Sequence, residues 1–287
     1  MKSQVIDSLQ DVFCLCGSNS YTLLYRGVHN RQISNYPFSL YRCKTCQLVR
    51  VLPTPDMSLY TKGYSASTAD NQEYVPRNKP WCVDLANEVE RILSFYPDLQ
   101  GKPVLDVGCN GGELVEQLNA RNIQAEGCDI DPVAINYGLK KNLSLFLQDL
   151  SSQPLDEKYG VVIMNHTLEH IVPTIDVIKN ICNALIPGGI LHIHVPNYDG
   201  WIPKIMKDNW GFLVPHEHVW QFSPQTLKFH IESSLPGKIK TVEIRCKTNL
   251  EPVGTGIKGL VKGSFIFMAT NFNKGDEIIA TFRKIPT

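Results

Sequence analysis

The sequence predicts an α/β fold, a mostly parallel sheet with helices on both faces, behind a small cysteine-bearing module. Three observations predict it. From Gly101 onward, short apolar strands alternate with amphipathic helices. One of those strands ends in an acid and a glycine-rich bend, Asp106-Val107-Gly108-Cys109-Asn110-Gly111-Gly112. Four of the nine cysteines crowd into the first 46 residues.

Residues 1–60 read as short, irregular and cysteine-bearing, and Pro53 and Pro55 break the chain after them. Residues 61–100 read as a polar linker and a helix capping the site. Tyr60, Tyr64 and Tyr74 lie in or near this stretch, and Tyr64 and Tyr74 are candidates to reach the acceptor. Val83, Leu85, Val89, Ile92 and Leu93 recur at near-helical spacing over 81–95. The core, 101–287, then reads as strand 103–107, helix 113–121, strand 123–129, helix 133–141 and strand 144–147. Strand 160–164, helix 173–185, the turn Pro187-Gly188-Gly189 and strand 190–195 follow. Repeated units of this kind with right-handed crossovers leave few topologies. His192 and His194 alternate on the last of these strands and read as packing residues.

Residues 196–223 interrupt the rhythm. They hold Trp201, Trp210 and Trp220, each read as core or as part of an aromatic lid, and His216, Glu217 and His218. A loop this long is usually functional. A helix over 224–231 and closing strands over 240–245 and 263–270 complete the chain.

Composition narrows the function. The 28 basic residues cancel the 28 acidic ones, which argues against a phosphate-backbone binder. No apolar run approaches a membrane span, and the first residues lack a signal-peptide core. The expectation is a cytoplasmic protein with reduced thiols and no membrane or nucleic-acid partner.

The glycine-rich bend lets a ligand approach the backbone, and the helix behind it offers its N–H groups. Asp129 ends the second strand, 23 residues after Asp106, where Rossmann-like folds bind ribose hydroxyls. A nicotinamide dinucleotide and S-adenosylmethionine both fit that geometry. The dinucleotide pattern G-x-G-x-x-G is not met, because Asn110 stands where the second glycine belongs. An acid ahead of the loop also suits a cofactor bearing an ammonium group.

These residues resemble the first motif of class I S-adenosylmethionine-dependent methyltransferases, with Asn110 replacing the usual central glycine. Gly127-Cys128-Asp129-Ile130-Asp131-Pro132 resembles the second motif. The segment 162–170 resembles the fourth-strand motif, and 185–189 the turn before strand five. The resemblance implies a Rossmann-like class I methyltransferase sheet, mostly parallel with its last strand antiparallel. It implies cofactor contacts from Asp106, Gly108, Asn110, Gly112, Asp129, Asp149 and Asn165, with Asp129 on the ribose and Asp149 at the adenine amino group.

Cys14-Leu15-Cys16 and Cys43-Lys44-Thr45-Cys46 are two cysteine pairs separated by 26 residues. Two such pairs can close a tetrahedral thiolate site on Zn²⁺, a structural staple for a segment with little core. The alternative is four uncoordinated thiols. A four-cysteine knuckle, a Pro-x-Pro segment and a methyltransferase core together resemble the sugar C-methyltransferases of natural-product and glycan pathways. In that family the knuckle packs over the active site and its zinc is structural.

Methyl transfer from a sulfonium needs an oriented acceptor and, for many acceptors, a base. His216, Glu217 and His218 lie just past strand five, on the rim where parallel sheets bind ligands. The family's Tyr-x-Glu-His signature places Glu217 and His218 there, with Pro215 in the tyrosine's position. The same resemblance makes His170 a residue of the acceptor site. His166 reads as nearer the cofactor mouth. The expectation is a methyltransferase on a small molecule such as a nucleotide sugar, with carbon, oxygen and nitrogen all open as acceptor atoms. The alternatives are a methyltransferase gripping RNA or protein through the knuckle, and a non-catalytic binding module on the same fold. The oligomeric state stays open.

Overall fold

The structure is a computed structural model, and it describes residues 12–28, 38–55, 74, 81–248 and 257–286. Tyr60, Tyr64 and most of the expected linker lie outside the described residues.

The N-terminal module is a sheet, where the sequence suggested irregular chain. Strands β1 (Tyr21–Val28), β2 (Phe38–Cys43) and β3 (Val49–Leu52) pair antiparallel. Phe38, Leu40, Val49 and Val51 form their buried face. Interleaved Ser39, Tyr41, Arg42 and Arg50 hide that alternation in the sequence, because β-strands show their apolar residues only at every second position.

Helix α1 (Trp81–Phe95) has the span the periodicity predicts. The main unit then runs β4 (Val104–Val107), α2 (Glu113–Asn119), β5 (Ala125–Asp129), α3 (Pro132–Lys140), β6 (Leu145–Leu147) and β7 (Tyr159–Asn165). It continues through α4 (Thr174–Ala184), β8 (Leu185–Pro196), α5 (Trp201–Met206) and β9 (Trp220–Gln221). It ends with α6 (Pro224–Ser234), β10 (Ile239–Lys247), α7 (Ile257–Asn271) and β11 (Glu277–Lys284).

Seven strands form one sheet in the order β10-β11-β8-β7-β4-β5-β6. Strands β4 to β8 are mutually parallel, and β11 runs antiparallel between β8 and β10. This is the Rossmann-like sheet the sequence predicts, with its last strand antiparallel.

The expected strand over 263–270 is a correction. Those residues lie in α7, and the closing strand is β11. A short apolar run such as Phe265-Ile266-Phe267-Met268 does not distinguish helix from strand by periodicity. The true strand carries Ile278, Ile279, Ala280 and Phe282, all fully buried, between polar flanks.

Alternation along the strands builds two cores. On one face Val104, Val161, Ile163 and Ile190 meet Leu85, Val89 and Ile92 of α1 and Leu114 and Leu118 of α2. On the other face Leu105, Val162, Met164 and Leu191 meet Ile178 and Ile181 of α4 and Leu227 and Ile231 of α6. Each such aliphatic side chain contributes about 1.5–3 kcal/mol by leaving water. The second core also takes in Cys14, Cys43 and Leu48 of the N-terminal module and Trp220 and Phe222 of the long loop. Strand β9 from that loop pairs with β3, Val49 opposite Gln221 and Arg50 opposite Trp220. The cysteine module and the loop therefore share one sheet. Trp210 and Trp220 are core, and the Trp220 indole N–H donates to the Ile171 carbonyl at 3.0 Å.

Candidate active site

The chain turns sharply after β4. Gly108 and Gly112 adopt φ of 76° and 83°, and Asn110 adopts 56°. Asparagine tolerates this left-handed region better than other side chains, so the departure from glycine at 110 does not distort the turn. A Cβ on Gly108 would stand 2.5 Å from the Thr167 hydroxyl, so the loop after β7 packs directly on this bend.

Asp129, at the end of β5, holds the bend in place. Its Oδ2 accepts the Asn110 N–H and its Oδ1 the Asp131 N–H, both at 2.9 Å. Burial raises its pKa, against those hydrogen bonds. A carboxylate has about four lone-pair sites, so backbone donors do not use all of its accepting capacity. Asp131 is the N-cap of α3, accepting the Val133 N–H at 2.8 Å. Asp106 is buried on β4 behind the loop. Asp149 is exposed beyond β6, where its Oδ1 accepts the Ser151 N–H at 2.8 Å. Asn165 closes β7 opposite His194.

Tyr74, expected near the acceptor, sits on this loop instead. Its hydroxyl donates to Glu113 at 2.6 Å and accepts from the Gly111 N–H at 3.2 Å. Its ring packs on Tyr137 at 4.5 Å. The absence of a side chain on Gly111 is what admits the ring.

The four expected acid–base residues converge beside the bend. Thr167 joins the two sites, donating its hydroxyl to the Val107 carbonyl at 3.0 Å. His170 Nδ1–H donates to the Glu217 carbonyl at 3.1 Å, and His218 Nδ1–H to the Phe212 carbonyl at 2.8 Å. Carbonyls only accept, so each Nδ1 carries the proton and each neutral ring presents an unprotonated Nε2. The two rings meet edge to face at 4.6 Å. Burial lowers the pKa of both, His218 to about 3. His216 and Glu217 pair at 2.8 Å; burial pushes the Glu217 carboxyl up, but that bond together with the neighbouring His216, His170 and His218 rings holds it down.

Sequence reasoning missed the electrostatic centre of the cluster. His166 bridges two buried carboxylates, Glu169 at 3.3 Å and Glu277 at 3.1 Å. Burial alone would discharge its ring, but the two carboxylates win and hold its pKa up at about 10. The signal was a histidine and a glutamate three residues apart in a turn. Glu277 came from a strand that was not foreseen.

The four cysteines also converge. Cys14 Sγ lies 3.5 Å from Cys46 Sγ, and Cys16 Sγ 3.6 Å from Cys43 Sγ. All four sulfurs fall within 4.8 Å of one another, and none is in a disulfide. Thiolates on a tetrahedral Zn²⁺, at about 2.3 Å each, stand about 3.8 Å apart, so the set fits that ion.

A cavity of about 320 Å³ opens between the N-terminal sheet and α5. Arg42, Lys204, Lys207, Tyr198 and Gln221 are among its walls. The Gln221 amide donates to the His218 carbonyl at 3.0 Å, which ties the cavity to the cluster.

A seven-stranded sheet of this order, with a glycine-rich bend clamped by a strand-end acid, defines an α/β protein of the nucleotide-cofactor type. The methyltransferase-domain family matches residues 82–230, and the chain belongs to it. Among curated relatives, the ubiquinone biosynthesis O-methyltransferase of Rickettsia bellii is 29% identical over 151 residues, 45% of this chain and 62% of that protein. Its counterpart in Rickettsia felis is 30% identical over 153 residues, 45% and 62%. The chain thus spans about six tenths of the length of these relatives. A methyltransferase from Streptomyces caelestis shares the fold with a TM-score of 0.55 at 14% identity, covering 78% of this chain and 99% of that one. Magnesium protoporphyrin IX methyltransferase from Synechocystis, solved with bound S-adenosylhomocysteine, has a TM-score of 0.53 at 15% identity, covering 79% and 99%. No helix among the described residues is long and apolar enough to cross a membrane.

Proposed function

We propose that this chain is an S-adenosylmethionine-dependent methyltransferase acting on a small molecule. The observation that carries the reading is the junction at Thr167, where the clamped glycine bend and the histidine cluster meet. S-adenosylmethionine, when bound, supplies an electrophilic methyl group. Asp106, Gly108, Asn110, Gly112 and Asp129 are assigned to hold it, with Asp149 and Asn165 at its periphery. His218 takes the acceptor proton on Nε2, Glu217, paired with His216, orients it or binds acceptor hydroxyls, and His170 assists from its edge-to-face contact with the His218 ring. The half-buried His166 imidazolium offsets the charge of Glu169 and Glu277 beside them. Zn²⁺ on Cys14, Cys16, Cys43 and Cys46 braces residues 1–60, which with 61–100 cover the core, 101–287.

For the acceptor we propose an anionic metabolite, a nucleotide sugar in the finer reading. Arg42 and Lys207 in the cavity wall support it, since a diphosphate needs such cations, while Lys204 there is paired with Asp199 at 2.6 Å. The names of the Rickettsia relatives favour oxygen as the acceptor atom. Two measurements test this. S-adenosylhomocysteine binding by calorimetry tests the cofactor, and undetectable binding overturns it. Methyl transfer to nucleotide sugars against the matching free sugars tests the acceptor. Equal efficiency for both, or no rise in KM in Arg42→Gln, overturns the diphosphate.

A further inference from the structure

His192 and His194 lie on β8 in register with Ile190, on the apolar face that packs against α1. Histidines at two consecutive positions of that face need a partner. The partner is Glu88, from the edge of the buried stripe of α1. Glu88 Oε2 lies 2.9 Å from His192 Nε2 and 3.2 Å from His194 Nε2, and the two nitrogens are 3.0 Å apart.

With Glu88 ionised, the state its bond to Arg245 favours, no arrangement of protons on the two rings satisfies this triangle. With neither nitrogen protonated, three lone pairs face one another. With one protonated, its hydrogen serves the other two atoms, yet those two still meet lone pair to lone pair. With both protonated, two N–H groups crowd toward one oxygen with their nitrogens 3.0 Å apart. One cation in front of the triangle satisfies all three atoms at once. Ligands about 2.1 Å from an octahedral ion stand about 3.0 Å apart when adjacent. The three observed edges match that spacing.

The surroundings are those of metal ligands, whose far sides are held by hydrogen bonds. His194 Nδ1 faces the Glu277 carboxylate at 3.4 Å, and His192 Nδ1 faces the Thr281 hydroxyl at 2.9 Å. Arg245 donates to the other Glu88 oxygen at 2.7 Å. The two rings are buried, while the Glu88 side chain is 18% exposed, so Glu88 is the member of the triangle nearest solvent.

We infer that Glu88, His192 and His194 form a site for a divalent first-row transition metal ion. Two imidazoles and one carboxylate select a borderline ion such as Zn²⁺ or Fe²⁺ over Mg²⁺ or Ca²⁺. The ion pins α1 to β8. It sits behind the histidine cluster, because Glu277 contacts both His194 and His166. The site is separate from the four thiols and does not depend on the methyl-transfer reading.

Full-length chain is stripped with chelator, reloaded with Co²⁺ and assayed for bound metal by mass spectrometry and for its absorption spectrum. Glu88→Gln is expected to hold one ion fewer than wild type while keeping any thiolate-to-cobalt bands. Cys43→Ser/Cys46→Ser is expected to lose those bands and keep one ion. His194→Asn is the second variant at the triangle, and circular dichroism confirms that each variant is folded. The inference is overturned if folded Glu88→Gln and His194→Asn hold as much metal as wild type. It is also overturned if the cysteine variant holds no metal.

Discussion

His230 offers a direct test of how burial sets charge in this fold. It lies in α6, 2% exposed, and its Nε2 has no hydrogen-bond partner. Burial is the one cause acting on its pKa, and lowers it to about 4 from 6.5. In the unfolded chain the ring titrates near 6.5 and takes up a proton that the native state refuses. Stability is therefore fully present above about pH 6.5 and is lost as pH falls toward 4. Between about pH 7.5 and 5 the loss attributable to this ring is about 2 kcal/mol. His230→Leu removes it. Urea unfolding of both proteins at the two pH values gives the comparison, and other buried histidines cancel in the difference. The variant is expected to lose about 2 kcal/mol less than wild type on acidification. Parallel losses would refute the reasoning, because His230 would then be charged, or solvated, in the native state.

Other expectations concern the site. His218→Ala should lower kcat about 10²–10⁴-fold while leaving S-adenosylhomocysteine affinity unchanged in calorimetry. Because the His218 pKa lies at about 3, a wild-type kcat/KM profile should show no inflection from this ring near the usual histidine value. Asn110→Gly should leave stability and cofactor affinity close to wild type, whereas Asn110→Val, forced to the same positive φ, should cost about 1–2 kcal/mol in thermal unfolding. Cys14→Ser should release Zn²⁺ to a colorimetric chelator and destabilise the N-terminal sheet by several kcal/mol, read as early proteolysis of residues 12–55.

The parallel core was legible because its code is local. Apolar runs, turn glycines and helical spacing set β4 to β7 and the intervening helices to within two residues, but β8 starts at Leu185 and runs through Pro187-Gly188-Gly189, which the sequence suggested as a turn. Asp106, Gly108 and Asp129 stood at strand ends that periodicity alone located. What was not legible depended on distant partners. Strands β1 to β3 are held where β9 pairs with β3 and where the second core takes in Cys43 and Leu48, and no local pattern announces β9. Strand β11 is flanked by polar residues, so α7 looked like the better strand. His192 and His194 read as packing, since nothing in β8 itself points to Glu88, 104 residues away. His166 acquires its charge from Glu277, 111 residues away. In each case a long-range neighbour reverses what the local sequence suggests.

The pairing of β9 with β3 bears on how this protein could be re-engineered. The two-residue strand belongs to the segment that carries His216 to His218, yet its ladder partner lies in the cysteine module. A graft of the 196–223 loop alone into a related scaffold would arrive without the edge that fixes its register. A graft of the cysteine module alone would leave an open edge at Val49 and Arg50. The transferable unit is thus discontinuous: 12–55 and 196–223 move together as one cassette, and chimeras cut between them should fold without a positioned His218.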